Sequence, residues 1–317
     1  MIRGALLHLP GIGPVRAARL RQLGVTGWPD LASRPPAGLH LGPAAWEAVL
    51  AEAARCDEAY EAGDIGFFCR RLCGCDLWRI LAQYGRRAAY VDIETDGLLG
   101  TARVTVIACY WQDRLYTFVQ DENLDDFLEL LEHIELVVTY NGTCFDVPMI
   151  LRAFHIPELP CPHLDLRRVC THAGLRGGLK AIEASLGLPR PPDLQGVDGA
   201  EAVLLWQRWR RQGQRAARDR LVRYCAADVV GLRGVGGAIL GRCDAGLPAV
   251  SPETLWADLD EALPPPAEAD LAEPAGSPAA GPAPAAAPRP MGPRPVERAG
   301  GGRRPEARPA PGRPASP

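Results

Sequence analysis

Three short apolar segments follow one another with no helix between them, and this restricts the fold more than any other feature of the chain. Ala88–Glu94 runs into the turn Thr95-Asp96-Gly97, Arg103–Trp111 follows, and a tight polar turn at Gln112–Arg114 leads into Leu115–Val119. Beyond them the period lengthens. Leu124–His133 sets Leu124, Phe127, Leu128 and Leu131 on one helical face, Leu136–Tyr140 is again an apolar strand, Val147–Phe154 is helical, and His163–Leu166 is a short strand. Helices then dominate at Gly178–Leu186, Gly199–Arg211 and Ala216–Leu240. The order predicts an α/β domain over residues 88–244: a mixed five-stranded sheet with helices on its faces.

Upstream, Met1–Ala32 is a helical segment punctuated by glycine, and Pro43–Ala62 spaces Trp46, Val49, Leu50 and Ala53 as a helix face. We read 1–62 as a small all-helical module and 63–87 as a connector rich in Cys and Arg. Residues 245–317 read as an extension and tail. From about Leu263 the tail is Pro, Ala, Gly and Arg without apolar periodicity. It buries too little surface to offset its chain entropy, so disorder is expected there.

A formal charge of −3 gives no overall attraction to a polyanion. A nucleic-acid site must therefore come from local clustering or from bound metal. The ten cysteines are scattered, with no legible secretory signal, and no apolar run reaches bilayer length. The expectation is a cytoplasmic chain with reduced thiols and no membrane contact.

The chemistry starts at Tyr90-Val91-Asp92-Ile93-Glu94. Residues two apart on a strand share a face, so Asp92 and Glu94 point together while Val91 and Ile93 point the other way. Paired carboxylates on an apolar strand repel unless a cation lies between them, and hard cations prefer oxygen. Asp96 and the turn also allow a plainer reading, two exposed acids at a strand end. Downstream, Leu136–Tyr140 ends in Asn141-Gly142-Thr143-Cys144-Phe145-Asp146, an acid at a helix start where Asp also serves as an N-cap. Tyr224 and Asp228, four apart, share one face of an otherwise apolar helix.

In this order the three pieces resemble the DEDD exonuclease superfamily, with its RNase H-like fold, and the tyrosine resembles the DEDDy subgroup. Arg176-Gly177-Gly178-Leu179-Lys180-Ala181-Ile182-Glu183, followed by Leu186-Gly187, is similar to the bacterial YprB-like RNase H-like family. The resemblance spans about residues 88–244. It implies two divalent cations, Mg²⁺ or Mn²⁺, held by Asp92, Glu94, Asp146 and Asp228, which clamp an in-line displacement at phosphorus. Asp92 would bridge both ions, Glu94 and Asp228 would complete one site, and Asp146 would serve the other. Tyr224 would hydrogen-bond the attacking water or the scissile phosphate. Relatives of this kind release 5′-mononucleotides from a 3′ end, so single-stranded 3′ ends of DNA or RNA are the implied partner. Asn141 and Lys180 are further candidates for substrate contact.

Leu7-His8-Leu9-Pro10-Gly11-Ile12-Gly13 followed by Pro14–Leu23 resembles a helix-hairpin-helix element, with a very short first helix. There the Gly11 and Gly13 backbone and Arg16, aided by Arg19, would meet a phosphate. A packing module is the other reading. Arg208, Arg210, Arg211, Arg215, Arg218, Arg220 and Arg223 form a candidate phosphate track or a solvated helix face. Cys69, Cys73 and Cys75 lack the paired spacing usual for structural zinc, and the Gly231–Gly237 run reads as helix packing or termination. The leading expectation is a 3′→5′ exonuclease. Its rivals are a vestigial nucleic-acid-binding scaffold and a structure-specific endonuclease.

Overall fold

The computed structural model describes residues 1–97, 101–243 and 251–266. Most of the tail expected to be disordered lies outside the described residues. The chain begins with a single 3-10 turn, Ile2–Gly4, then α1 (Pro14–Gln22), α2 (Pro43–Glu61), α3 (Ile65–Arg71) and α4 (Trp78–Tyr84). The mixed domain follows: β1 (Ala88–Thr95), β2 (Val104–Trp111), β3 (Arg114–Val119), α5 (Asp126–Leu131), β4 (Leu136–Thr139), α6 (Asp146–Phe154) and β5 (His163–Asp165). Helices α7 (Leu166–His172), α8 (Leu179–Ser185), α9 (Gly199–Gln212), α10 (Arg215–Arg242) and α11 (Pro252–Ala262) complete it.

The sheet order is β3-β2-β1-β4-β5. The first three strands pair antiparallel, and β4 and β5 add parallel to β1. Gln112 and Asp113 both take positive φ, 50° and 56°, the twist a two-residue hairpin between β2 and β3 needs. Alternation sorts the strands onto two cores. Ala89, Val91 and Ile93 of β1 pack with Ile107, Phe118, Phe127, Val137 and Ile150 under α5 and α6. Ala88 and Tyr90 join the opposite cluster with Val106, Ala108, Leu136 and the apolar positions of α10.

That second cluster continues without a break into the N-terminal helices, through Leu81, Phe68, Trp46 and Trp28 to Ile2. The Trp28 ring stacks on Phe68 at 5.8 Å, and its indole Nε1 donates to the Ala5 carbonyl. Such fully buried aromatics each contribute several kcal/mol of transfer free energy, ~2–3 by area. The stretch read as a connector thus contains α3 and α4. At seven residues apiece they are too short to display a helical period, and they persist through burial of Phe68, Ile80 and Leu81.

Candidate active site

The central helix decides where the acids meet. Even-numbered residues of β1 face α10, so Asp92 and Glu94 project toward it from positions paired with Ala108 and Val106 of β2. Two α10 residues one turn apart, Tyr224 and Asp228, look back at them. One carboxylate oxygen from each of Asp92, Glu94 and Asp228 lies within 4.8 Å of the others. Asp146, the first residue of α6, is outside that triplet but lines the same cavity of about 370 Å³, with Tyr140, Asn141, Lys180 and Tyr224. Converging carboxylates with no bulky group between them suit a hard divalent cation.

Burial drives Asp92 well above the ordinary carboxylate range, and the charges of Asp228, Asp146 and Glu94 push the same way. Glu94 is raised likewise, by burial and then by Asp228, with Lys180 opposing. Asp146 is pushed up to about 7, chiefly by burial, although the Ile93 N–H holds it back. Carboxyls of an unfolded chain titrate near pH ~4. Between that value and the raised folded values the folded state holds more protons, so stability falls as pH rises. We therefore expect the metal-free protein to melt at a lower temperature at about pH 8 than at about pH 5, and divalent cation to restore it at the higher pH. A metal-free melting temperature that climbs over this interval contradicts the electrostatics described.

Lys180 of α8 donates from Nζ to the Tyr224 hydroxyl at 2.7 Å and to the Val197 carbonyl at 2.5 Å. A lysine only donates, so the phenol accepts here and keeps its own proton for a further acceptor. Burial, followed by the Asp228 and Glu94 charges, raises the Tyr224 phenol, which stays protonated.

Behind Asp228 stands a group the sequence did not reveal. Arg190 donates from Nε and Nη2 to the two Glu183 oxygens at 2.7 and 3.0 Å, and from Nη2 also to Asp228 Oδ1. Burial works against its charge, but Asp228 and Glu183 outweigh that and hold the guanidinium firmly protonated. The trace of this arrangement in the sequence is Gly231. A Cβ there would sit 1.9 Å from Glu183 Oε1. The Gly231–Gly237 run is thus a packing feature rather than a terminator, since α10 continues to Arg242.

The loop from β4 to α6 is fixed by a second buried acid, Asp165 at the end of β5. Its carboxylate accepts from the backbone N–H of Asn141 at 2.8 Å, Thr143 at 3.2 Å and Arg167 at 3.0 Å. Asn141 adopts a left-handed φ of 63°, and its Oδ1 accepts from Arg167 Nη1 at 2.6 Å. Gly142 sits against Thr139, whose Oγ1 accepts from the Gly142 N–H at 3.1 Å and meets His163 Nε2 at 2.8 Å.

The N-terminal hairpin residues do not line this cavity. Gly11 takes φ of 72°, Gly13 caps α1, and Arg16 donates to the carbonyls of Gly11 at 2.8 Å and His40 at 3.1 Å, tying the hairpin to the loop before α2. The arginine row is mostly paired. Arg210 meets Asp121 at 2.7 Å, Arg218 holds Glu122, and Arg208 and Arg215 approach Glu201 and Asp219. Arg223 is buried with Asp193 and Asp260, so the reading of it as part of a surface track is corrected: an α10 position facing the core is not solvated. Cys73 and Cys75 come together beside Asp76, their sulfurs 2.8 Å apart, and Cys69 is not part of that group.

Residues 89–238 match the model of the RNase_H superfamily, so an RNase H superfamily domain occupies the sheet and the helices that carry the acids. That superfamily points to nuclease chemistry on nucleic acid, generally with divalent metal, and the acidic cluster is in keeping with it. A family B DNA polymerase from the hyperthermophilic archaeon Pyrobaculum calidifontis is similar in structure at a TM-score of 0.37 and 14% identity, over 54% of this chain and 28% of the polymerase. No curated protein matches the chain. Among the described residues, no helix is long and apolar enough to cross a membrane.

Proposed function

We propose that this chain is a 3′→5′ exonuclease that removes nucleotides from single-stranded ends of DNA or RNA. The observation that carries the proposal is the meeting of Asp92, Glu94 and Asp228 oxygens within 4.8 Å of one another, inside an RNase H superfamily domain. On this reading Asp92, Glu94, Asp146 and Asp228 would hold two divalent cations, Mg²⁺ or Mn²⁺. Bound there, they supply the positive charge that an in-line displacement at phosphorus requires. The chain's own residues do the rest. Asp146, which lines the same cavity as the triplet, orients the attacking water. Tyr224, whose hydroxyl oxygen accepts from Lys180, keeps its own hydrogen for a hydrogen bond to that water or to a phosphate oxygen. Asn141 and its loop, fixed by Asp165, flank the path of the strand. In the N-terminal module, the backbone about Gly11 and Gly13, with Arg16, would take a phosphate further along the strand.

Digestion of matched, end-labelled DNA and RNA single strands with Mg²⁺, Mn²⁺ or EDTA tests the proposal. It expects a ladder of single-nucleotide steps from the 3′ end that EDTA abolishes. One discrete internal cut points to an endonuclease instead. Binding without any cleavage under either metal points to a scaffold.

A further inference from the structure

We propose that Arg190 is a fixed positioning cation of the carboxylate pocket: gripped from behind by Glu183, it takes one oxygen of Asp228 and leaves the other as the one Asp228 offers to a divalent cation. The inference rests on the metal-binding part of the proposal above, and not on exonuclease activity.

The geometry argues for a built device. The side chains of Glu183, Arg190 and Asp228 are 2%, 7% and 11% exposed, so the ion triad is largely shielded from water, with Asp228 at the cavity edge. Surface pairs of this type contribute little, whereas breaking a buried one leaves an uncompensated charge. Arg190 cannot swing freely, because Nε and Nη2 both engage Glu183 and the guanidinium is a rigid plane. Glu183 in turn lies where a Cβ on Gly231 would fall, so α10 approaches α8 closely enough to hold it. Among the described residues Arg190 Nη1 is buried without a hydrogen-bond partner, and the guanidinium carbon lies 5.8 Å from the centre of the Tyr224 ring.

Two consequences follow from charge alone. In the absence of metal, Arg190 offsets part of the repulsion among Asp92, Glu94 and Asp228, so the pocket keeps its shape. In its presence, the same positive charge repels the ion and lowers affinity, and one oxygen of Asp228 is already engaged. Arg190 thus trades metal affinity for a fixed ligand direction. A merely structural strut between α8 and α10 would have no such effect on metal binding.

Calorimetric titration of Mn²⁺ into the metal-stripped full chain separates the two. Arg190→Met removes the charge and is expected to bind Mn²⁺ about ten-fold more tightly than the parent. Arg190→Lys, which keeps the charge, is expected to stay within about three-fold of it. Glu183→Gln leaves the guanidinium uncompensated and is expected to weaken Mn²⁺ binding by about three-fold or more, the opposite sign. Circular dichroism and melting establish that each variant is folded. Should Arg190→Met not fold, Glu183→Gln alone carries the sign of the effect. Equal or weaker Mn²⁺ binding by folded Arg190→Met, or unchanged binding by Glu183→Gln, overturns the inference. A parent that binds Mn²⁺ and cleaves nothing defeats the exonuclease reading while leaving these comparisons intact; a parent that binds no Mn²⁺ overturns both.

Discussion

Asp92→Ala is expected to lower hydrolysis of a nucleic-acid strand by at least about a thousand-fold, the rate equivalent of roughly 4 kcal/mol. The proposed role places Asp92 on both cations, so its loss removes charge stabilisation that no neighbour can replace. The same change should not unfold the protein. Asp92 is raised well above the ordinary range by burial and by three neighbouring acids, and removing such a group relieves repulsion. The contact that α10 makes here survives it, because Cys225 Sγ reaches the backbone carbonyl of Asp92 at 3.4 Å. Activity lost with an unchanged or higher melting temperature is therefore the expected pair of results. A purified Asp92→Ala protein that still degrades substrate at the parental rate, with contaminating nuclease ruled out, defeats the assignment.

Gly142→Ala is expected to destabilise the protein by about 2–3 kcal/mol and to impair the site at the same time. A Cβ at this position would lie 2.0 Å from Thr139 Oγ1 and 2.6 Å from Thr139 Cβ. Thr139 has nowhere to go: it is fully buried, β-branched and bonded to both His163 and the Gly142 N–H. The loop must move instead, and it carries Asn141 on one side and leads to Asp146 on the other. Urea denaturation gives the stability change, and a shift below about 0.5 kcal/mol with full activity contradicts the steric argument.

The strands and their acids were legible because both signals are local. Period-two alternation put Asp92 and Glu94 on one side of β1 before any fold was considered, and the spacing of Tyr224 and Asp228 fixed their common helix face. The five strands appear where the alternation places them, and the sheet is mixed, as expected. What escaped the sequence depends on partners distant in the chain. Asp165 read only as part of a short strand, although it organises the loop before α6. Glu183 stood in the Arg176–Glu183 segment with no role of its own and Arg190 drew no notice, until the fold brought them against Asp228. The arginine row shows the reverse error. Seven like charges suggest an open track, but their acids, Asp121, Glu122, Asp193 and Asp260, arrive from other elements and neutralise several of them. Short helices α3, α4 and α7 left no period to read at seven residues each.

Anomalous diffraction from Mn²⁺-soaked crystals tests the central claim most directly, since it asks whether acids from β1, α6 and α10 take up cations together. The account expects two peaks in the cavity, one touching Asp92, Glu94 and Asp228 and the other reaching Asp92 and Asp146. An empty cavity at saturating Mn²⁺, with Asp228 still held by Arg190 as it is without metal, would contradict it.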